Sequence, residues 1–183
     1  MAAPGLAEAV VLAPRYYRDN FLRLCDTVET LYGDLLHADE QSLLASWREL
    51  PESAQCLYVR LVSRVGPWFR RGKLAYAEID DIPAALATLA AAGLLATEGE
   101  LDIGELARLF TMAEWRRAFA AELPAPQPRT KPELLAAIAE LQWPEARVLE
   151  RLLAATGDQL VAPLGGDTVD LLQLLFFGNR RQG

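Results

Sequence analysis

The chain has 183 residues, 52% of them hydrophobic and 23% charged, with a formal net charge of −7. That is one or two small domains' worth of chain, too apolar for a disordered tail. The acidic balance excludes a protein that coats nucleic acid over its whole surface, but it leaves room for one basic face on an acidic body.

A single histidine, His37, and two distant cysteines, Cys25 and Cys56, cannot assemble a Cys/His metal cluster. Both cysteines read as small buried hydrophobes in a reducing compartment. No apolar run reaches the roughly 18 residues of a membrane span, so no membrane partner is expected. Residues 1–14, MAAPGLAEAVVLAP, lack the basic start of a signal peptide and read as a loosely ordered leader. No GxSxG, Walker, paired-Cys or HExxH pattern occurs, so no residue is nominated as catalytic.

From Tyr16 on, the apolar positions Tyr17, Phe21, Leu24, Val28, Leu31 and Leu35 step by three and four, which predicts an amphipathic helix weakened or ended by Gly33. Asp39 is a candidate cap for a second helix with Leu43, Leu44 and Trp47 inward. Pro51 opens a third, with Leu57, Tyr58, Leu61, Val62 and Val65 as its buried stripe and Arg60 and Arg64 opposite. Gly66–Pro67 stops it. Arg71–Gly72 then reads as the tight turn of a short hairpin. A fourth helix starts near Ile82, behind Asp80–Asp81, and stops at Gly93. A second small hairpin is expected over Leu94–Ile103. Helices and hairpins in this order suit a winged-helix-like domain over residues 15–103; an irregular helical bundle is the alternative.

The stretch Leu57–Tyr76 carries Arg60, Arg64, Arg70, Arg71 and Lys73, no acid, and the aromatics Tyr58, Trp68, Phe69 and Tyr76. Cations mixed with aromatics suit a phosphate backbone; a solvated helix face followed by a turn is the plainer explanation. Trp68 suits either base stacking or a core plug.

After Gly104 come Glu105–Phe110 and a helix capped by Thr111 that carries Arg116 and Arg117. Three prolines in PAPQPRTK then enforce a stiff surface loop. Thr130 caps the next helix, with Glu133 as a capping-box partner. Arg129 and Lys131 flank that helix start, where unused amides and the dipole attract anions. Trp143–Pro144 opens a helix with Leu149, Leu152 and Leu153 inward, closed by Gly157. The last helix, from Gly165–Gly166–Asp167, is apolar nearly all round through Leu171–Phe177, although the chain stops shortly after. A continuing chain or another subunit is expected to cover it.

The ordered series Tyr16–Tyr17, Phe21, Asp39–Gln41, Gln55, Leu57–Leu61, Arg64, Trp68, Lys73–Leu74, Tyr76 and Glu78–Ile79 resembles the N-terminal region of the Fanconi-associated nuclease family. The ending LLFFGN, Leu174–Asn179, resembles a block preceding that family's helical repeats. The resemblance implies a mainly α chain: a winged-helix-like domain over 15–103, a SAP-type helix–loop–helix DNA-binding module over 104–141, and the start of a helical-repeat region over 142–183. A virus-type replication-repair nuclease domain is expected beyond. The SAP likeness departs at the linker, where Arg129–Thr130–Lys131 follows a proline run.

The function so implied is the substrate-orienting part of a structure-specific repair nuclease, a 5′ flap endonuclease or 5′–3′ exonuclease of phosphodiesterase I type acting in interstrand cross-link repair. Its partners would be branched or flapped DNA and the helical-repeat and nuclease domains absent here. The chain alone is expected to hold no cofactor and no catalytic residue; the intact nuclease would use Mg2+ or Mn2+. The place would be the bacterial cytoplasm at the nucleoid, or the nucleus of a eukaryote. The residues nominated for DNA are Arg60, Arg64, Arg70, Arg71, Lys73, Arg116, Arg117, Arg129 and Lys131. The alternative is a non-enzymatic helical interaction module that self-associates through its last helix.

Overall fold

A computed structural model describes residues 15–182, with side chains as far as Gly178. The leader expected over residues 1–14 lies outside the described residues. The fold is mainly helical. In chain order the helices are α1 (Tyr16–Tyr32), α2 (Ala38–Arg48), α3 (Glu52–Val62), α4 (Ile82–Ala91), α5 (Ile103–Leu109), α6 (Met112–Ala118), α7 (Lys131–Glu140), α8 (Glu145–Thr156) and α9 (Gly166–Gln182). The strands are β1 (Phe69–Arg70), β2 (Leu95–Ala96) and β3 (Leu160–Pro163).

The chain divides into two compact units, each discontinuous in sequence. One comprises the residues up to Pro67, Ala75–Ala96 and the residues from Ala162 on; the other comprises Trp68–Leu74 and Thr97–Val161. This differs from the three consecutive blocks 15–103, 104–141 and 142–183 that the sequence suggests. The last helix, expected to open a new region, packs on α1 instead.

In the first unit α1 to α4 and α9 surround a core of Phe21, Val28, Leu44, Trp47, Leu57, Leu61 and Leu89. The Phe21 and Trp47 rings meet edge to face at 4.8 Å. Gln55 is buried among them with its polar ends satisfied: its amide donates to Trp47 O, and Arg18 Nε donates to its oxygen. Cys25 and Cys56 are both buried and form no disulfide; burial pushes the Cys25 thiol up to about 12. Gly33 ends α1, as expected. The cap of α2 is His37 rather than Asp39, its N–H donating to Glu40 Oε1. Asp81 caps α4, accepting from Ala84 N–H. Leu31, Leu35 and Val65, expected inside, are exposed, because their helices end before those positions or turn them outward.

Neither expected hairpin forms. Arg71–Lys73 is a 3-10 turn, and β1 pairs antiparallel with the first half of β3, Phe69 opposite Val161 and Arg70 opposite Leu160. In the first unit β2 pairs with the second half of β3, Leu95 opposite Pro163 and Ala96 opposite Ala162.

The second unit holds α5 to α8 around Leu106, Phe110, Trp115, Phe119, Leu134 and Leu152. Thr111 caps α6 in a two-way box with Glu114. Gly157 closes α8 at φ 67°, a left-handed backbone that suits glycine. On α8 it is Val148 with Leu152 that is fully buried, while Leu149 and Leu153 are half-buried. Trp68 is a core plug. It is 8% exposed, and a side chain on Gly99 would strike its ring.

Candidate nucleic-acid interface

The nominated cations fall in both units. Arg60 and Arg64 lie at α3 in the first; Arg70, Arg71, Lys73, Arg116, Arg117, Arg129 and Lys131 lie in the second. What each one touches decides what it can do. A guanidinium bound to a carboxylate has its charge cancelled, whereas one bound to a carbonyl or amide oxygen keeps it.

Arg60 belongs to the cancelled class. Its Nη2 lies 2.7 Å from Glu78 Oε1, and its Cζ sits 4.4 Å above the Tyr17 ring and 5.1 Å above that of Tyr76. The Tyr17 hydroxyl and Arg15 complete the cluster, the first donating to the Glu78 carboxylate and the second to its backbone oxygen. Burial pushes the Glu78 carboxyl up, but its own N–H, Arg60 and Tyr17 outweigh that and hold it below its usual value. One turn on, exposed Arg64 donates Nη1 to the Tyr76 hydroxyl at 2.8 Å.

The sequence nominates Arg70 for DNA, and its burial contradicts that. Its side chain is 6% exposed, with Nη1 2.6 Å from Glu114 Oε1 and Nε 2.9 Å from Asp158 Oδ2, over the Phe110 ring at 4.7 Å. Burial would raise the Glu114 carboxyl; the hydrogen bonds from Arg70 and the Thr111 N–H reverse this and bring it down to about 2. Asp158 is lowered in the same way, its burial outweighed by the N–H groups of Gln159 and Gly72 and by Arg70. The two residues after Arg70 are tied to the same segment as Asp158: Arg71 N–H donates to Gln159 O, and Gly72 N–H to Asp158 Oδ1.

The other nominated cations of the second unit keep their charge, unlike Arg151, which lies 2.7 Å from Glu122 Oε1. Arg71 donates to the Gln159 side-chain oxygen, Arg116 to Pro128 O and Lys131 to Phe110 O. Lys73, Arg117 and Arg129 are exposed, and their side chains have no hydrogen-bond or ion-pair partner among the described residues. Two arginines overlooked in the sequence join them: Arg108, which donates to Trp68 O, and exposed Arg147, 3.7 Å above the Trp143 ring. At the start of α7 the amides are less available than the sequence suggests. Pro132 has none, Glu133 N–H goes to Thr130 Oγ1, and the Glu133 carboxylate accepts from Arg129 N–H. The positive charge at that helix start is carried by the Arg129 and Lys131 side chains, beside the Glu133 carboxylate.

Residues 15–96 match the family model described as FAN1, HTH domain. The chain is 37% identical over 177 residues, 97% of its length, to the Fanconi-associated nuclease 1 homolog of Pseudomonas aeruginosa. The chain is homologous to part of the Pseudomonas Fanconi-associated nuclease 1 homolog, with its HTH region at 15–96. The resemblance read from Tyr16–Ile79 is thereby borne out. The chain spans about 30% of the length of the Pseudomonas relative. Two solved structures are similar over nine-tenths of the chain: paFAN1 bound to 5′ flap DNA with a gap, with a 1-nucleotide flap (TM-score 0.71, 30% identity, 91% of this chain) and a 2-nucleotide flap (0.69, 29%, 90%). The match covers 30% of each of those chains. Among the described residues, no helix is long and apolar enough to cross a membrane.

Proposed function

We propose that this chain is the DNA-handling, N-terminal part of a structure-specific repair nuclease. It holds duplex and branched DNA by backbone phosphates without reading sequence, while the remainder of the intact protein cleaves near 5′ flaps, as an endonuclease or 5′–3′ exonuclease in cross-link repair. In this reading the first unit acts as a winged-helix-like domain and the second as a SAP-type module, each assembled from the separated segments given above. The observation that carries it is the similarity over nine-tenths of the chain to paFAN1 structures whose partner is 5′ flap DNA. The charges agree: Arg71, Lys73, Arg117, Arg129 and Lys131 keep their charge, and among the described residues no carboxylate is hydrogen-bonded to their side chains.

The test is a titration of a labelled 5′ flap duplex over a salt series. Replacing Lys73, Arg117 and Arg129 together by Ala lowers the slope of log K against log salt by roughly 0.9 for each phosphate no longer neutralised, and weakens unrelated sequences equally. An unchanged slope overturns the phosphate role of these residues. Exposure of Leu174 and Phe177, at 70% and 52%, favours self-association through α9 as a second reading. A light-scattering mass of two chains that returns to one on Leu174→Ser supports it.

A further inference from the structure

An open cavity of about 450 Å³ lies in the first unit between α1, the end of α3 and α9. Its size falls within the roughly 300–1,000 Å³ of small-ligand clefts. The floor is apolar, from Phe21, Leu24 and Val59. Aromatic rings form its sides: Tyr16 (44% exposed), Phe177 (52% exposed) and Phe176, the last two edge to face at 5.4 Å. Four hydrogen-bonding side chains also line it, Asn20, Arg23, Ser63 and Gln173, and none of them has a partner among the described residues. Two of these rings, Tyr16 and Phe177, therefore stand largely in water at the same opening as one exposed guanidinium, Arg23.

Aromatic faces beside one cation and a few adaptable amide and hydroxyl groups match the chemistry of a single nucleotide. Bases stack on aromatic side chains whatever their identity, and a phosphate pairs with arginine in a fork. We propose that this cavity receives one unpaired nucleotide of a DNA substrate, its base against the Tyr16, Phe176 and Phe177 rings and its phosphate on Arg23. Asn20, Ser63 and Gln173 meet base or sugar edges. The inference rests on the DNA-binding reading above and deepens it. Cations that grip phosphates cannot tell a paired strand from an unpaired one, whereas a cavity that takes a base can, because a base stacked in a duplex is not on offer.

The test uses the 183-residue chain with two probes, a 5′ flap duplex carrying 2-aminopurine in the flap and the same duplex without a flap. Binding quenches the 2-aminopurine. Phe177→Ala and Arg23→Ala each remove the quench and weaken the flapped duplex about tenfold, within the range of one lost base stack. Both leave the flapless duplex unchanged, and Leu174→Ala, outside the cavity, leaves both probes unchanged. Quenching that survives both cavity variants, while the flapless duplex still binds, overturns this inference alone. Failure of the flapless duplex to bind overturns the underlying DNA reading. A two-chain mass that Phe177→Ala and Leu174→Ala both reduce to one, with quenching untouched, assigns the face to pairing between copies and overturns the nucleotide site.

Discussion

Arg70 and Lys73 lie within one turn of chain, yet one is held by two buried carboxylates and the other has no partner among the described residues. The first is a structural pair. Removing one partner of such a pair typically costs 3–5 kcal/mol, because it leaves buried charge uncompensated. We expect Arg70→Met to lower the urea midpoint and leave the salt slope of DNA binding unaltered. The same pair sets an acid response. The Glu114 carboxyl is depressed in the folded state to about 2, from an ordinary 4.5, so its contribution to stability is complete above about pH 5 and is lost as pH falls toward 2. The shift corresponds to roughly 3 kcal/mol. Urea titrations from pH 6 to pH 2 should show this loss in the parent chain and a flatter profile in Arg70→Met. Equal profiles would mean that Arg70 does not hold Glu114 down.

The helices were largely legible in the sequence because their signals are local. Thr111, Thr130 and Asp81 cap the helices they precede, Gly157 closes α8, and the Phe21, Leu24 and Val28 stripe sits where the spacing puts it. We expect Thr111→Ala to cost about 1 kcal/mol and Thr111→Ser to restore it, read as amide exchange in the first turn of α6. Strands were not legible: Phe69 and Leu95 find their partners in β3, far along the chain, and a Gly-containing turn beside a short apolar run looks like a hairpin in the absence of that partner. The site divides the same way. Lys73, Arg117 and Arg129 were readable as exposed cations, but nothing near Arg60 or Arg70 in sequence announces Glu78, Glu114 or Asp158. The cavity was hidden for the same reason, since Gln173 and Phe177 reach Tyr16 only through the packing of α9 on α1.

Taken as a whole, the first unit is not the continuous segment 15–96 that the HTH match marks out. Leu172 of α9 is fully buried, the Tyr58 hydroxyl donates to Leu164 O at 2.6 Å, and β2 has its partner in β3. A polypeptide of residues 15–96 is therefore expected to lose cooperative urea unfolding. The pairing of Ala96 with Ala162 carries a further consequence. Apart from the short excursion Trp68–Leu74, the chain leaves this unit and re-enters it at paired positions of one antiparallel ladder, so the segment 97–161 is topologically a hairpin loop that has grown into a body of its own. An Asn-Gly turn joining Ala96 directly to Ala162 has the geometry to close that ladder. The excised protein, with 15–67, 75–96 and 162–178 joined by short turns so that Trp68–Leu74 leaves with the second unit, should regain the sharp unfolding transition that the truncated one lacks, and a splice that stays as broad as the truncation would show that the ladder cannot close on itself.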